Sequence, residues 1–134
     1  MDVEKENIDS VIRQFFQIFN NKEPAKKDWT TIYTLCIPES IIVKKDGLEQ
    51  AIYTVKEFIE PRITVLSNGT ITGFEEHEME EATIINRNIA QRFSRYQKSG
   101  YKEGQHFSAW GTKLFHFVKT GAGWKISSLT WEDD

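Results

Sequence analysis

Gln105-His106-Phe107-Ser108-Ala109-Trp110-Gly111-Thr112-Lys113-Leu114-Phe115-His116-Phe117-Val118 is the stretch on which the fold turns. In an extended strand, alternate side chains point to opposite faces. One face here is Phe107, Ala109, Gly111, Lys113, Phe115 and Phe117, and the other is His106, Ser108, Trp110, Thr112, Leu114, His116 and Val118. Both carry large apolar groups. The last segment behaves likewise, with Trp124, Ile126, Ser128 and Thr130 set against Leu129 and Trp131. An antiparallel sheet with one wet face alternates more cleanly, so both faces are expected to be covered. Helices can cover one. Too little chain remains for the other, and a second copy is the simplest cover. A homodimer through the outer sheet face is therefore expected.

Outward from that stretch, strands are predicted at 71–85, 88–98, 105–119 and 123–132. Turns fall at Asn86-Arg87-Asn88 and Gly121-Ala122-Gly123, with a longer loop from Ser99 to Gly104. The first strand is long enough to need a bend, and Met79-Glu80-Glu81 is the place for it. Upstream, Ile8, Val11, Ile12, Phe15 and Phe19 recur at spacings of three and four, which predicts a helix over 7–19. Asn7 is its candidate cap, Asn20-Asn21 a left-handed stop and Pro24 a break. A second helix is expected from Asp28, with Trp29, Ile32, Tyr33 and Cys36 on one face, and Pro38 limits it to Ile37. Ser40 to Lys44 reads as a strand, Asp46-Gly47 as a hairpin turn and Leu48 to Tyr53 as the returning strand. A single helix from Leu48 to Ile59 is the alternative. Thr54-Val55-Lys56-Glu57 is a capping box opening a short helix that Pro61 is expected to end. Helices first and a meander last make an α+β layout.

The 134 residues suit one domain, 1–134. A net charge of -3 gives no support for nucleic-acid binding, which needs many cations facing phosphates. The single cysteine, Cys36, excludes an intrachain disulfide and a Cys-based zinc cluster, and its apolar neighbours make it a buried small hydrophobe. No metal-ligand spacing, phosphate-binding glycine loop or nucleophile elbow is present, so no metal and no cofactor is expected. The amino terminus is polar and acidic, and no run of about 18 apolar residues exists, so a cytoplasmic protein without a membrane partner is expected.

This order of elements resembles the nuclear-transport-factor-2-like (NTF2-like), or SnoaL-like, superfamily. The resemblance covers almost the whole chain. It is carried by Phe15-Phe16, Asp28 to Leu35, Ile41-Ile42-Val43, Thr54 to Ile59, Gly73 to Glu78, Asn88 to Tyr96 and the ending Gly123 to Glu132. The middle motifs look like an uncharacterised bacterial branch. The resemblance implies a cone-shaped α+β barrel, with three helices packed on a strongly curved mixed or antiparallel sheet and a pocket between. It implies no single activity, because the fold hosts enzymes, adaptors and pure binding modules. Isomerase-like members carry a helix-1 tyrosine, where this chain has Phe15, Phe16 and Phe19. The aspartate sets of the hydrolase- and dehydratase-like members find no counterpart in the central meander.

Within that frame, Phe15, Trp29, Tyr33 and Phe58 are candidates for a pocket floor. Arg95 and Trp110 are candidates for contacting a small ligand, the arginine through its planar guanidinium. His77, on the parity of Glu75, Met79 and Glu81, and His106 are the candidate general bases. The acidic strand 75–81 is expected to pair across to Arg92 and Arg95. Three functions stay open: a binding protein for an apolar or amphipathic small molecule; a lyase, isomerase or hydrolase with a histidine base; and a dimeric interaction adaptor.

Overall fold

The computed structural model describes residues 2–23 and 27–134; the break expected at Pro24 lies outside them. Helix α1 (Val3–Ile18) begins earlier than its apolar stripe. The Asp2 carboxylate accepts from the Glu4 and Lys5 amides at 3.0 and 3.2 Å, and Glu4 and Glu6 suit the positive end of the helix dipole. Its buried face is Ile8, Ile12, Phe15, Phe16 and Ile18. Asn20 and Asn21 do not take the left-handed conformation. Asn21 is buried instead as a tie between elements. Its amide donates to the carbonyls of Leu66 and Ile71 (3.0 and 2.6 Å), and its Oδ1 accepts from the Phe74 amide (2.6 Å).

Helix α2 (Thr31–Leu35) is short because Cys36 already begins strand β1 (Cys36–Asp46), paired with Ile126. Pro38 falls where the β1 register shifts, which is where a strand tolerates a missing amide. Strand β2 (Glu49–Tyr53) returns antiparallel after a turn with Gly47 at φ +59°, so the hairpin forms rather than the single helix. Helix α3 (Val55–Ser67) opens on the capping box, with Glu57 N to Thr54 Oγ1 at 3.2 Å and Thr54 N to Glu57 Oε1 at 3.0 Å. It does not end at Pro61. Glu57, whose carbonyl loses its amide there, and Pro61 both lie on the exposed side, while Phe58, Ile59 and Leu66 hold the other side in the core.

Strands β3 (Ile71–Asn86), β4 (Ile89–Lys102), β5 (Gln105–Thr120) and β6 (Gly123–Asp133) complete one six-stranded sheet in the order β2-β1-β6-β5-β4-β3. β1 and β6 are parallel and all other pairs antiparallel. This corrects the expected strongly curved cone and α+β barrel. The sheet is open, with β2 and β3 as separate edges that do not pair. A five-residue β2 bonded only to β1 offers nothing to close onto. The loop expected at 99–104 shrinks to a turn around Glu103 and Gly104, because β4 continues to Lys102.

Two bulges redirect side chains. In β6 the register shifts between Ile126 and Ser128, so Trp124, Ile126, Leu129 and Trp131 are all buried on one face. The two apolar faces read from that segment are one. In β3 the register shifts between Glu78 and Glu80, leaving Met79 unpaired and exposed at the expected bend. The parity expected to join His77 with Glu81 is broken there. Beyond the bulge, Glu81 turns inward to Lys5 (2.8 Å). Arg92, 4% exposed, is gripped by Glu78 and Asp9 at 2.5 Å each, which docks α1 on β3 and β4. The expected pairing of the acidic strand with Arg92 forms. Arg95 pairs with Asp134 instead (2.8 Å).

Candidate functional site

Between the helices and the inner face of the sheet lies a cavity of about 150 Å³. Its apolar walls come from Phe15 and Phe19 of α1, Phe58, Val65 and Leu66 of α3, Ile71 and Phe74 of β3, and Leu129 and Trp131 of β6. Asn21 binds Leu66, Ile71 and Phe74 together, so it sets one wall. Four charged side chains reach the same space: Arg62, Glu76, Lys98 and Lys113.

Lys113 projects from the inner face of β5 between Gly111 and Phe115. Its Nζ sits 3.9 Å from the centre of the Tyr96 ring and 2.8 Å from Glu76 Oε1. The two side chains are 8% and 7% exposed. At that distance the ammonium faces the carboxylate directly, as a buried ion pair. Burial pushes the Lys113 ammonium below the ordinary lysine range, and the Glu76 charge opposes that. Tyr96 crosses beneath Lys113 only because Gly111 stands opposite it. A Cβ there would come within 2.1 Å of the tyrosine oxygen. The Tyr96 hydroxyl donates to Asp133, which also accepts from Lys98 at 2.8 Å. Burial and the Asp133 bond hold the phenol well above its usual range.

Arg62 comes from the half of α3 beyond Pro61. Its guanidinium lies over the Phe58 ring at 3.9 Å and 5.4 Å from the centre of the Trp131 ring, and Nη1 donates to the Phe58 carbonyl at 2.8 Å.

Of the residues singled out from the sequence, Phe15 and Phe58 line this cavity. Trp29 packs on the core outside it. Tyr33 is exposed beside Cys36 and Val55 in a separate depression. Arg95 and Trp110 are together on the outer sheet face, 5.8 Å apart. His77 is 64% exposed, 3.6 Å from Glu75, in a shallow groove with Arg13 and Gln17. His106 is exposed against the edge of Tyr101. The sequence reading missed Arg62, Glu76, Lys98 and Lys113. Only Lys113 carried a signal, as a lysine on an otherwise apolar strand face.

No helix among the described residues is long and apolar enough to cross a membrane. No family model and no curated protein matches the chain. Solved structures do. An NTF2-like superfamily protein from Salmonella enterica serovar Typhimurium aligns over 96% of this chain and 89% of its own, at 15% identity and TM-score 0.77. An NTF2-like protein from Cytophaga hutchinsonii aligns over 100% of both chains, at 11% identity and TM-score 0.73. A conserved protein from Planctomyces limnophilus aligns over 97% of this chain and 95% of its own, at 11% identity and TM-score 0.78. Similarity at these identities is one of fold. Helices, mixed sheet and strand order together give this chain the NTF2-like fold.

Proposed function

We propose that this chain is a small-molecule binding protein that holds a compact amphipathic ligand between α1, α3 and the inner sheet face. The carrying observation is a ring-sized cavity with apolar walls into which a few polar groups converge, the buried Lys113–Glu76 pair and Arg62 among them. An apolar pocket with a small number of convergent polar groups is the usual form of a small-molecule site. A cavity of this size accepts about one six-membered ring. Neither His77 nor His106 reaches the cavity, which favours binding over histidine-based catalysis. An amide-correlation NMR titration with phenol tests the reading. Saturable shifts centred on Phe58, Leu66 and Trp131 are expected, and a Leu66→Trp variant that fills the space should lose them. Shifts that are absent or centred elsewhere would overturn it.

The same reading pairs two copies through the outer sheet face. Ile84, Ile89, Phe93, Trp110 and Leu114 are all exposed there, and Phe93 lies directly opposite Leu114. A contiguous apolar face of this kind favours an interface. Sedimentation should find a dimer that Leu114→Lys converts to monomer; a wild-type monomer at micromolar concentration would refute the pairing.

A further inference from the structure

The charges around the cavity do not balance. Lys113 is matched by Glu76 and Lys98 by Asp133, each at 2.8 Å. Arg62 has no carboxylate within 4.0 Å among the described residues and makes one hydrogen bond, to the Phe58 carbonyl. Its flat face is occupied by the Phe58 ring, which leaves N–H donors at its edge for another acceptor. An unpaired charge that is half-buried against aromatic rings is unfavourable by itself. Guanidinium is also the side chain best shaped for two parallel hydrogen bonds to a carboxylate.

We infer that the cavity's ligand is a monocarboxylate with a ring-sized apolar body, anchored through its carboxylate by Arg62. This rests on the reading that the cavity binds a small molecule. The class follows from three observations. The surplus is a single positive charge, which a monoanion neutralises and a dianion overshoots. The walls are phenylalanine, leucine and tryptophan, which suit an apolar body. The volume of about 150 Å³ limits that body to one ring or a short branched chain. Burial pushes the Arg62 guanidinium down from its ordinary value, and Glu76, which already faces Lys113, opposes that only in part.

Benzoate and benzyl alcohol, matched in size and differing in charge, separate the possibilities. Each is titrated into the full chain and into the Arg62→Met and Arg62→Lys variants, with binding followed at the Trp131 indole and the Phe58 and Leu66 amides. Wild type is expected to bind benzoate at least tenfold tighter than benzyl alcohol, and added salt should narrow the gap. Arg62→Met should lose about 10- to 100-fold in benzoate affinity, the range of a charge-assisted pair, and a clearly smaller factor for benzyl alcohol. Arg62→Lys should fall between. Equal or tighter binding of benzyl alcohol by wild type would overturn the anion assignment and leave the cavity reading standing. Unchanged benzoate affinity in both variants would overturn the anchor. Failure of both probes to bind wild type would overturn the cavity reading and this inference with it. If Arg62→Met does not fold, the salt dependence and Arg62→Lys decide.

Discussion

Lys113→Met and Glu76→Met, made singly and together, measure the buried pair at the cavity wall. The charges stand 2.8 Å apart and are almost wholly withdrawn from water. At the effective dielectric suited to such sites, the attraction is roughly 6 kcal/mol, set against a desolvation cost of several kcal/mol for each ion. Whole pairs therefore come out near balance, whereas half pairs do not. Each single variant leaves one buried charge alone and is expected to cost about 3–5 kcal/mol. In the double variant that orphan is gone. What stays lost is the ammonium–Tyr96 contact at 3.9 Å, worth about 1–2 kcal/mol. The double variant should thus unfold within about 2 kcal/mol of wild type, giving a coupling energy of roughly 4 kcal/mol or more. Urea unfolding followed by far-UV circular dichroism at pH 7 gives all four corners. Single variants that each cost under about 1 kcal/mol, or a double variant as unstable as the sum of the singles, would show that the charges are solvated and the site is not as described.

Three further outcomes follow from other parts of the fold. Gly111→Ala should destabilise by about 2 kcal/mol or more, because its methyl meets Tyr96 at 2.1 Å and the Glu132 carbonyl at 2.7 Å; wild-type stability in a denaturation curve would contradict that packing. Asp9 and Glu81 are pushed up by burial but pulled further down by Arg92, Lys5 and Thr83, to below their ordinary 3.8 and 4.5. Carboxylates depressed in the folded state stabilise it above those ordinary values and lose that contribution as pH falls through the folded ones. The urea midpoint should therefore drop below about pH 4.5, and Asp9→Asn should show a shallower drop; identical acid profiles would count against the Arg92 network. Burial pushes the Cys36 thiol up to about 12, so native protein at pH 8 should leave a thiol reagent unconsumed until denaturant is added.

How far the sequence reached depended on the kind of signal. Periodic burial was legible: Ile8, Ile12 and Phe15 in α1, and the Asp46-Gly47 hairpin, follow from spacing and turn chemistry alone. The capping box at Thr54 placed the start of α3, but Pro61 hid its end. A proline on the solvent side of a helix with a well-buried opposite face does not stop it, and no local rule shows which side that is. Arg62, Val65 and Leu66 vanished from view with that error, and with them one wall of the cavity. Bulges hid the rest. A register shift in β6 turned two supposed faces into one, and another in β3, after Glu78, broke the parity of His77 with Glu81, so that Glu76, Glu78 and Glu81 turn inward while His77 stays in water. Among five closely spaced glutamates, which one meets a buried lysine is decided by strand register, a tertiary property. The histidines drew attention as the usual titratable candidates, yet the charges withdrawn from water include Arg92, Lys113 and the Glu76 side chain, with Arg62 half-buried beside them.

Ligand binding in this fold needs open space between Phe15, Phe58, Leu129 and Trp131. Crystals pressurised with xenon test for it directly, because the gas enters apolar cavities of this size without needing hydrogen bonds. A strong anomalous peak bounded by those four side chains is predicted, weakened in Leu66→Trp. Side chains collapsed across the space, with xenon bound only elsewhere, would contradict the account.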